Sequence, residues 1–361
     1  MKHAANGSKN HSGKQGTGKT ILMILAAVLI GAASIYAVAS QSNDISFRTI
    51  WSCIATMKKE WLAAAIACMM GFIVFEAAAI RQSLLLLDTG CSVRNSLAYS
   101  AADIYFSAIT PSAYGGQPAS AFAMVQDGIS TMKATAALIM NLAMYTLSLV
   151  LIGIISFCTK PTLFLQFGLI SRILIAVGSL VQVGLFAVFM LMISSERTLA
   201  CLGKSIIHLL RRLYLIRTED QYLKKLEDLI GQYQSCSQVY AAKKKELWKI
   251  LLWNVLQRSS QIAVAMCVYE ALGGGAMSAY ALWVLQAYVV LGSNFVPVPG
   301  GMGITDYLMF NGYSSFMSVE RAVKLEIVAR SLSFYVCIVL CGVLLLCRAV
   351  VRFHRRKETT L

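Results

Sequence analysis

Charged residues are scarce in this sequence of 361 amino acids, at 14%, whereas hydrophobic residues make up 57%. A single water-soluble core cannot bury such a share of apolar side chains. The low charge therefore excludes an ordinary soluble domain, and the lipid bilayer is the expected solvent.

Metal-binding and redox motifs are also missing. The ten cysteines are scattered without a Cys-x-x-Cys pair, and the four histidines lie outside the hydrophobic segments. This pattern argues against a disulfide framework and against a zinc site. We predict no metal, no cofactor and no catalytic residue.

Gly13–Thr20 fits the phosphate-loop pattern G-x-x-x-x-G-K-[ST]. That loop needs a buried strand before it and a soluble helix after it. Here a polar tail precedes the motif and a hydrophobic segment follows it, so we reject a nucleotide site.

Several hydrophobic segments are long enough to cross a bilayer, because about 20 apolar residues span roughly 30 Å. The six predicted spans are Ile21–Ser40, Trp61–Ile80, Ala134–Phe157, Leu169–Ile193, Ile250–Ala271 and Leu325–Val350. Basic residues cluster before the first span, after the last, and in the connection at 196–249. The positive-inside rule places these three regions in the cytoplasm. The net charge of +15 is thereby explained without nucleic acid.

Two further hydrophobic stretches, Tyr99–Val125 and Tyr280–Phe316, are interrupted. Thr110–Pro118 breaks the first and Asn294–Gly303 breaks the second. Proline and paired glycines do not continue a helix, and irregular backbone at membrane depth must be buried in protein or line water. We predict two re-entrant hairpins that enter from opposite sides, which raises the hypothesis of an inverted repeat.

The predicted fold is an all-α integral membrane protein with about six transmembrane helices and two re-entrant helical hairpins. It would be a multi-pass protein of the cell membrane with both termini cytoplasmic. The predicted segments are a basic tail at 1–19, a membrane half at 20–193 with the first hairpin at 99–125, a basic amphipathic connection at 194–249, a membrane half at 250–351 with the second hairpin at 280–316, and a basic tail at 352–361. The connection either lies on anionic headgroups or docks on the helices.

Ionisable residues within apolar segments are costly and tend to persist with a partner or a function. The acids Glu76 and Glu326 and the arginines Arg258 and Arg330 sit where helices could bring them together. They form either a structural ion pair or an anion-binding site. The half-helices after Gly116 and Gly301 would add free N–H groups for a phosphate-bearing headgroup.

The segments Pro111-x-x-x-Gly115-Gly116-Gln117 and Pro297-Val298-Pro299-Gly300-Gly301-Met302-Gly303-Ile304-Thr305-Asp306 resemble motifs of a known family. It is the lysyl-phosphatidylglycerol synthase membrane domain, the flippase-like domain of the multiple peptide resistance factor family. The likeness runs from about Lys19 to Arg352. Family members usually carry Glu where this chain has Gln117 and Asp306.

The candidate substrate-binding residues come from both motifs and the intramembrane arginines. They are Tyr114, Gly115, Gly116, Gln117, Arg258, Asn294, Pro297, Pro299, Gly300, Gly301, Gly303, Asp306 and Arg330, with Glu76, Asp103 and Glu326 as charge partners.

The resemblance implies a lipid translocase for anionic or aminoacylated phospholipid such as lysyl-phosphatidylglycerol. A second hypothesis is a phosphatidylglycerol lysyltransferase, although no segment is long enough for the soluble synthase domain. A third is a membrane scaffold that binds a separate lipid-modifying enzyme through residues 196–249. The expected partners are phospholipid and the membrane, with a homo-oligomer as a further hypothesis and no nucleic acid.

Overall fold

The computed structural model describes residues 54–110, 115–194, 201, 205, 236, 238–275, 277–296, 298, 301 and 303–358. Regular structure within these ranges is helical throughout, which confirms the all-α fold. The helices used below are α1 Lys59–Leu86, α2 Val93–Ile109, α3 Gly116–Gln126, α4 Thr131–Thr159, α5 Pro161–Gln166, α6 Leu169–Ser194, α7 Lys244–Ala271, α8 Ala279–Ser293, α9 Ile304–Tyr313, α10 Val319–Arg330 and α11 Cys337–Glu358. A π-helical turn at Ser331–Val336 makes α10 and α11 continuous.

Four helical segments are long and apolar enough to cross a membrane. They are Lys59–Leu86, Thr131–Thr159, Leu169–Leu191 and Val319–Arg352. Each contains or overlaps a predicted span. The first predicted span, Ile21–Ser40, lies outside the described residues.

The predicted span Ile250–Ala271 differs from these four. Its helix, α7, has 28 residues, or about 42 Å at 1.5 Å per residue, but it is too polar to be counted among the apolar segments. Asn254 and Gln257 are 0% and 2% exposed, and Asn254 Nδ2 donates to Asn141 Oδ1 of α4 at 3.0 Å. One face of α7 is therefore buried and turns its polar side chains towards neighbouring helices.

Helices α1 and α7 pack against each other in opposite directions. The Lys58 N–H, before the start of α1, donates to Ala271 O at the end of α7 at 3.1 Å. At the other end, Lys243 Nζ donates to Leu86 O at 2.9 Å. The two helices that precede the hairpins thus run antiparallel, as they would in an inverted repeat. The repeat itself stays a prediction.

Each interrupted stretch forms two short helices joined by a break. The first hairpin consists of α2 and α3, so it begins at Val93, before the predicted Tyr99. The second consists of α8 and α9. Thr110 is extended after α2, whereas Gly301 and Gly303 have φ of 64° and 78° in the second break, which favours glycine. The structure confirms the interruptions, and the depth and direction of membrane insertion stay predictions.

An ion cluster ties the end of the first hairpin to α11. Arg348 lies 2.5 Å from Asp127 Oδ2, and Arg352 pairs with the other oxygen of Asp127. The Tyr99 hydroxyl of α2 also donates to Asp127, at 2.6 Å. The sequence analysis assigned no partner to Arg348, which lies inside the last predicted span, or to Arg352, which follows it, so this contact was missed.

Candidate functional site

A pair of buried acids lies beside the first hairpin. Glu76 comes from α1 and Asp103 from α2, and they are 6% and 5% exposed. Ser107 Oγ donates to Asp103 Oδ1 at 3.3 Å, and Gln117 Nε2 donates to Asp103 Oδ2 at 2.7 Å. The second oxygen of Glu76, Oε2, is buried without a hydrogen-bond partner.

Gly116 allows the start of α3 to approach these acids. A Cβ atom added there would lie 2.1 Å from both Asp103 Oδ1 and Ser107 Oγ, and 2.4 Å from the Asp103 carbonyl oxygen. No other residue fits without displacing them. The glycine therefore places Gln117 within reach of Asp103.

Arg258 of α7 faces the same acids. Its charge interacts with both Glu76 and Asp103, and its guanidinium carbon lies 4.1 Å from the ring centroid of Tyr145. One terminal nitrogen donates to Gln261 Oε1 at 2.5 Å, while Nε is buried without a hydrogen-bond partner. We call Glu76, Asp103, Gln117 and Arg258 the first cluster.

The second cluster comprises Asp306, Glu326 and Arg330. Arg330 Nε lies 2.7 Å from Asp306 Oδ1, and Asp306 Oδ2 accepts from the Gly303 N–H at 2.8 Å. Glu326, one turn before Arg330 in α10, interacts electrostatically with both partners. Asp306 thus caps the start of α9 and binds the arginine of the next helix.

A hydrogen bond connects the first cluster to the second hairpin. The Tyr145 hydroxyl, whose ring lies under Arg258, donates to Asn294 Oδ1 at 2.9 Å. Asn294 follows α8 at the start of the second break. The polar groups therefore continue from α3, through Arg258 and Tyr145, to the loop that leads to Asp306.

The acids and arginines that the sequence analysis selected lie in two separate groups. Glu76 faces Arg258, and Glu326 lies with Arg330 and Asp306. Asp103, Gly115, Gly116 and Gln117 belong to the first hairpin, and Asn294, Gly301, Gly303 and Asp306 to the second. Tyr114, Pro297, Pro299 and Gly300 lie outside the described residues. Substrate binding by any of these residues stays a prediction.

Sequence analysis missed Ser107, Tyr145 and Gln261 because it considered only ionisable groups in apolar segments. A signal was present in α7, where Asn254, Arg258 and Gln261 recur at helical spacing on one face. Neutral polar residues at that period mark an interior face as clearly as charges do.

Among the described residues, no group of three His, Cys, Asp or Glu side chains could hold a metal ion. The acids of the two clusters instead face arginines and hydrogen-bond donors. The arrangement can therefore bind an anion at an arginine, a cation at a carboxylate, or both parts of a zwitterion.

Comparison with known proteins identifies the family but not an individual relative. No curated protein sequence matches the chain. The family described as "Lysylphosphatidylglycerol synthase TM region" matches residues 23–341, a segment that contains both hairpins and both clusters. The chain therefore belongs to the lysylphosphatidylglycerol synthase TM region family, and it is a multi-pass membrane protein related to the synthesis of that lipid.

Proposed function

We propose that this protein is a lipid translocase that moves an anionic or aminoacylated phospholipid, such as lysyl-phosphatidylglycerol, between the two leaflets. The observation that carries the proposal is the connected set of polar groups inside an apolar helical body. Buried arginines and acids are expensive in a membrane. A headgroup path accounts for two arginine clusters and for the hydrogen-bonded residues between them.

A phospholipid headgroup has chemistry that fits these groups. Its phosphate would accept hydrogen bonds from Arg258 or Arg330, since charge-assisted bonds to an arginine are strong where water is excluded. An amino group on an aminoacylated lipid would find the carboxyl groups of Glu76 and Asp103, or of Asp306 and Glu326. The acyl chains would stay in the bilayer, against exposed apolar residues such as Leu180 and Val183 of α6.

The two clusters differ in their access to the surface. Glu76 and Asp103 are buried, whereas the Asp306 side chain is 34% exposed and that of Arg330 is 16% exposed. Asn294 and Gly303 are exposed as well. We infer that a headgroup meets the second cluster at the surface and reaches the first after the second hairpin shifts.

Leaflet exchange in proteoliposomes tests the proposal. The probe is fluorescently labelled phosphatidylglycerol, whose outer-leaflet fraction is read by chemical quenching. Arg258→Ala and Gly301→Leu should slow exchange: the first removes a phosphate donor, and the second adds bulk at a residue with φ of 64° whose Cβ would meet Thr305 Oγ1 at 2.5 Å.

Val339→Ala on the exposed face of α11 is the control and should exchange lipid as the wild type does. Exchange by all variants at the wild-type rate would contradict a headgroup path through the clusters. The comparison requires that Arg258→Ala still folds. An unchanged elution volume in size-exclusion chromatography and an unchanged helical circular dichroism spectrum would show this.

The family description names a synthase, which keeps the lysyltransferase hypothesis open to a direct test. Purified protein supplied with lysyl-tRNA and phosphatidylglycerol should form no lysyl-lipid above a protein-free control. Formation of that product would favour the transferase hypothesis over the translocase.

A further inference from the structure

One continuous helix contacts both hairpins. Helix α10, the π-helical turn and the first part of α11 form a single apolar segment that is long enough to cross the membrane. Before the turn, Arg330 pairs with Asp306 of the second hairpin at 2.7 Å. After the turn, Arg348 and Arg352 pair with Asp127 at the end of the first hairpin. The turn therefore lies between the two ion contacts.

The turn sets the directions in which these arginines point. Arg348 follows Arg330 by 18 residues, which is about five turns of an α-helix at 3.6 residues per turn. In a regular helix, both side chains would thus lie on the same face. A π-helical hydrogen bond joins residues i and i+5 rather than i and i+4, so a single π turn takes up one extra residue. That residue rotates Arg348 by about 100° away from the face of Arg330.

Packed side chains connect the turn to both hairpins. On one side, the Arg330 guanidinium carbon lies 5.4 Å from the ring centroid of Phe334, which is part of the turn. On the other side, α11 lies close to α2 of the first hairpin, since a Cβ atom added at Gly342 would be 3.3 Å from Tyr105 Cε2. A change of position in either hairpin is therefore transmitted to the turn through direct contacts.

We propose that the π-helical turn is a two-state hinge that couples the two hairpins. A π turn is rare beside regular α-helix, and such a turn is kept where contacts on both sides require it. The ion contacts of Asp306 and Asp127 are those contacts, because a regular helix cannot direct its arginines to both acids. When either contact breaks, the turn relaxes to α-helix and α11 rotates, so the other hairpin is held less firmly.

The coupling acts in both directions. By thermodynamic linkage, a group that takes Arg330 from Asp306 weakens the hold on the first hairpin by the same free energy with which release of Asp127 weakens the hold on the second. The hinge would serve any activity that moves the hairpins, so it does not rest on lipid translocation.

A double-mutant cycle across the turn tests the hinge. Arg330→Gln and Asp127→Asn each break one contact, and unfolding in sodium dodecyl sulfate is measured for the wild type, both single variants and the double variant. Distant sites without a shared partner have additive effects. We expect the second substitution to change the unfolding equilibrium constant at least about twofold less than it does in the wild type, because the turn has already relaxed. Additive effects would overturn the hinge.

Deletion of Ser333 from the turn gives the matched control. It removes the extra residue and leaves a regular α-helix in which Arg348 still faces Asp127, with every charge kept. This variant should be at least as stable as the wild type, and the same cycle in it should be additive. Coupling that survives the deletion would show that charge or packing links the hairpins without the turn, and it would overturn the proposal.

Hydrogen–deuterium exchange tests the hinge without the deletion. Exchange at the amides of residues 331–336 is followed by mass spectrometry in the wild type, in Asp127→Asn and in Lys324→Gln, which alters an exposed pair with Glu320 on the same helix. Exchange in Asp127→Asn should become slower there, because regular α-helical hydrogen bonds replace those of the π turn. Lys324→Gln should match the wild type. Unchanged or faster exchange in Asp127→Asn would overturn the relaxation of the turn, and with it the hinge.

Discussion

The two hairpins carry an acid on opposite sides of their breaks. In the first, Asp103 lies on the leading helix α2 and the amide Gln117 follows the break. In the second, the acid Asp306 follows the break, and the leading helix α8 carries the amide Gln286, which accepts from the Tyr313 hydroxyl. An acid after the break caps its own helix. An acid before the break can contact the helix after the break only if that helix comes very close.

The two hairpins also differ in the space around the glycine that lies at the start of the second helix of each. The close approach at Gly116 leaves no room for a Cβ atom. At Gly303, by contrast, an added Cβ atom would meet nothing within 4 Å, although its φ of 78° favours glycine. The start of α3 is therefore held tightly against Asp103, whereas the start of α9 has more room at Gly303.

The largest expected effect comes from filling the tight approach with Gly116→Ala. Its Cβ would overlap Asp103 Oδ1 and Ser107 Oγ, so the variant must push α3 away from α2. We expect a loss of at least about 3 kcal/mol of unfolding free energy and no lipid exchange. Denaturation with sodium dodecyl sulfate, followed by circular dichroism, measures the first, and the proteoliposome assay measures the second.

Gly184→Ala is the matched control. Gly184 lies in α6 with nothing within 4 Å of an added Cβ, so alanine there should be neutral or slightly stabilising. Equal stability of the two variants would show that the first break is not as tight as described.

Replacing Arg330, the partner of Asp306 in the second hairpin, should have the next largest effect. Arg330→Gln leaves Asp306 and Glu326 as neighbouring acids without their cation. For a buried pair, such a loss costs about 3 to 5 kcal/mol, and the partial exposure of Asp306 should bring it to the lower end. The unfolding free energy in detergent is the measurement.

Lys324→Gln provides a comparison on the same helix. Lys324 pairs with Glu320, whose side chain is 79% exposed, so its loss should change stability little. A larger effect for Lys324→Gln than for Arg330→Gln would contradict the role of Arg330 as the stabilising partner of Asp306.

Much of this arrangement could be predicted from the sequence, and the missing parts have physical reasons. The apolar runs predicted α1, α4, α6 and the α10–α11 segment, and Pro and Gly predicted both interruptions. Periodicity does not state which helices become neighbours, so the ion pair of Arg330 with Asp306 could not be predicted. Asp127 was overlooked because a single acid in a short connection gives no sign of two arginines more than 200 residues later.

An acid–amide exchange across the first break sharpens the comparison between the hairpins. Gln117→Glu alone would place a second carboxylate about where an amide now donates to Asp103 at 2.7 Å. Like charges at that distance repel, so we expect a loss of about 1 to 3 kcal/mol or the uptake of another proton.

The double variant Gln117→Glu/Asp103→Asn restores one acid and one amide in the reversed order that the second hairpin uses. It should recover most of the stability, which gives a favourable coupling energy in a double-mutant cycle. Simple additivity of the two single changes would show that Gln117 and Asp103 do not interact, against the hydrogen bond described above.

The smallest effect on stability is expected at the contacts that hold the C-terminal end of each hairpin. The two hairpins use different kinds of contact there. The first ends in the ion cluster of Asp127 with Arg348 and Arg352. The second is fastened by Asn311 of α9, whose Oδ1 accepts from the Gly168 N–H and from Ser171 Oγ, each at 2.9 Å. Arg352→Gln should cost about 1 kcal/mol, because its side chain is 34% exposed and Arg348 still holds Asp127.

Salt separates the two fastenings. Raising the ionic strength screens exposed ion pairs but leaves neutral hydrogen bonds almost unchanged. The stability difference between the wild type and Arg352→Gln should therefore shrink in high salt, whereas the difference between the wild type and Asn311→Ala should persist. Chemical denaturation of the three proteins in low and high potassium chloride measures both differences. If the Arg352→Gln difference were independent of salt, Arg352 would not hold the first hairpin as a solvent-screened ion pair.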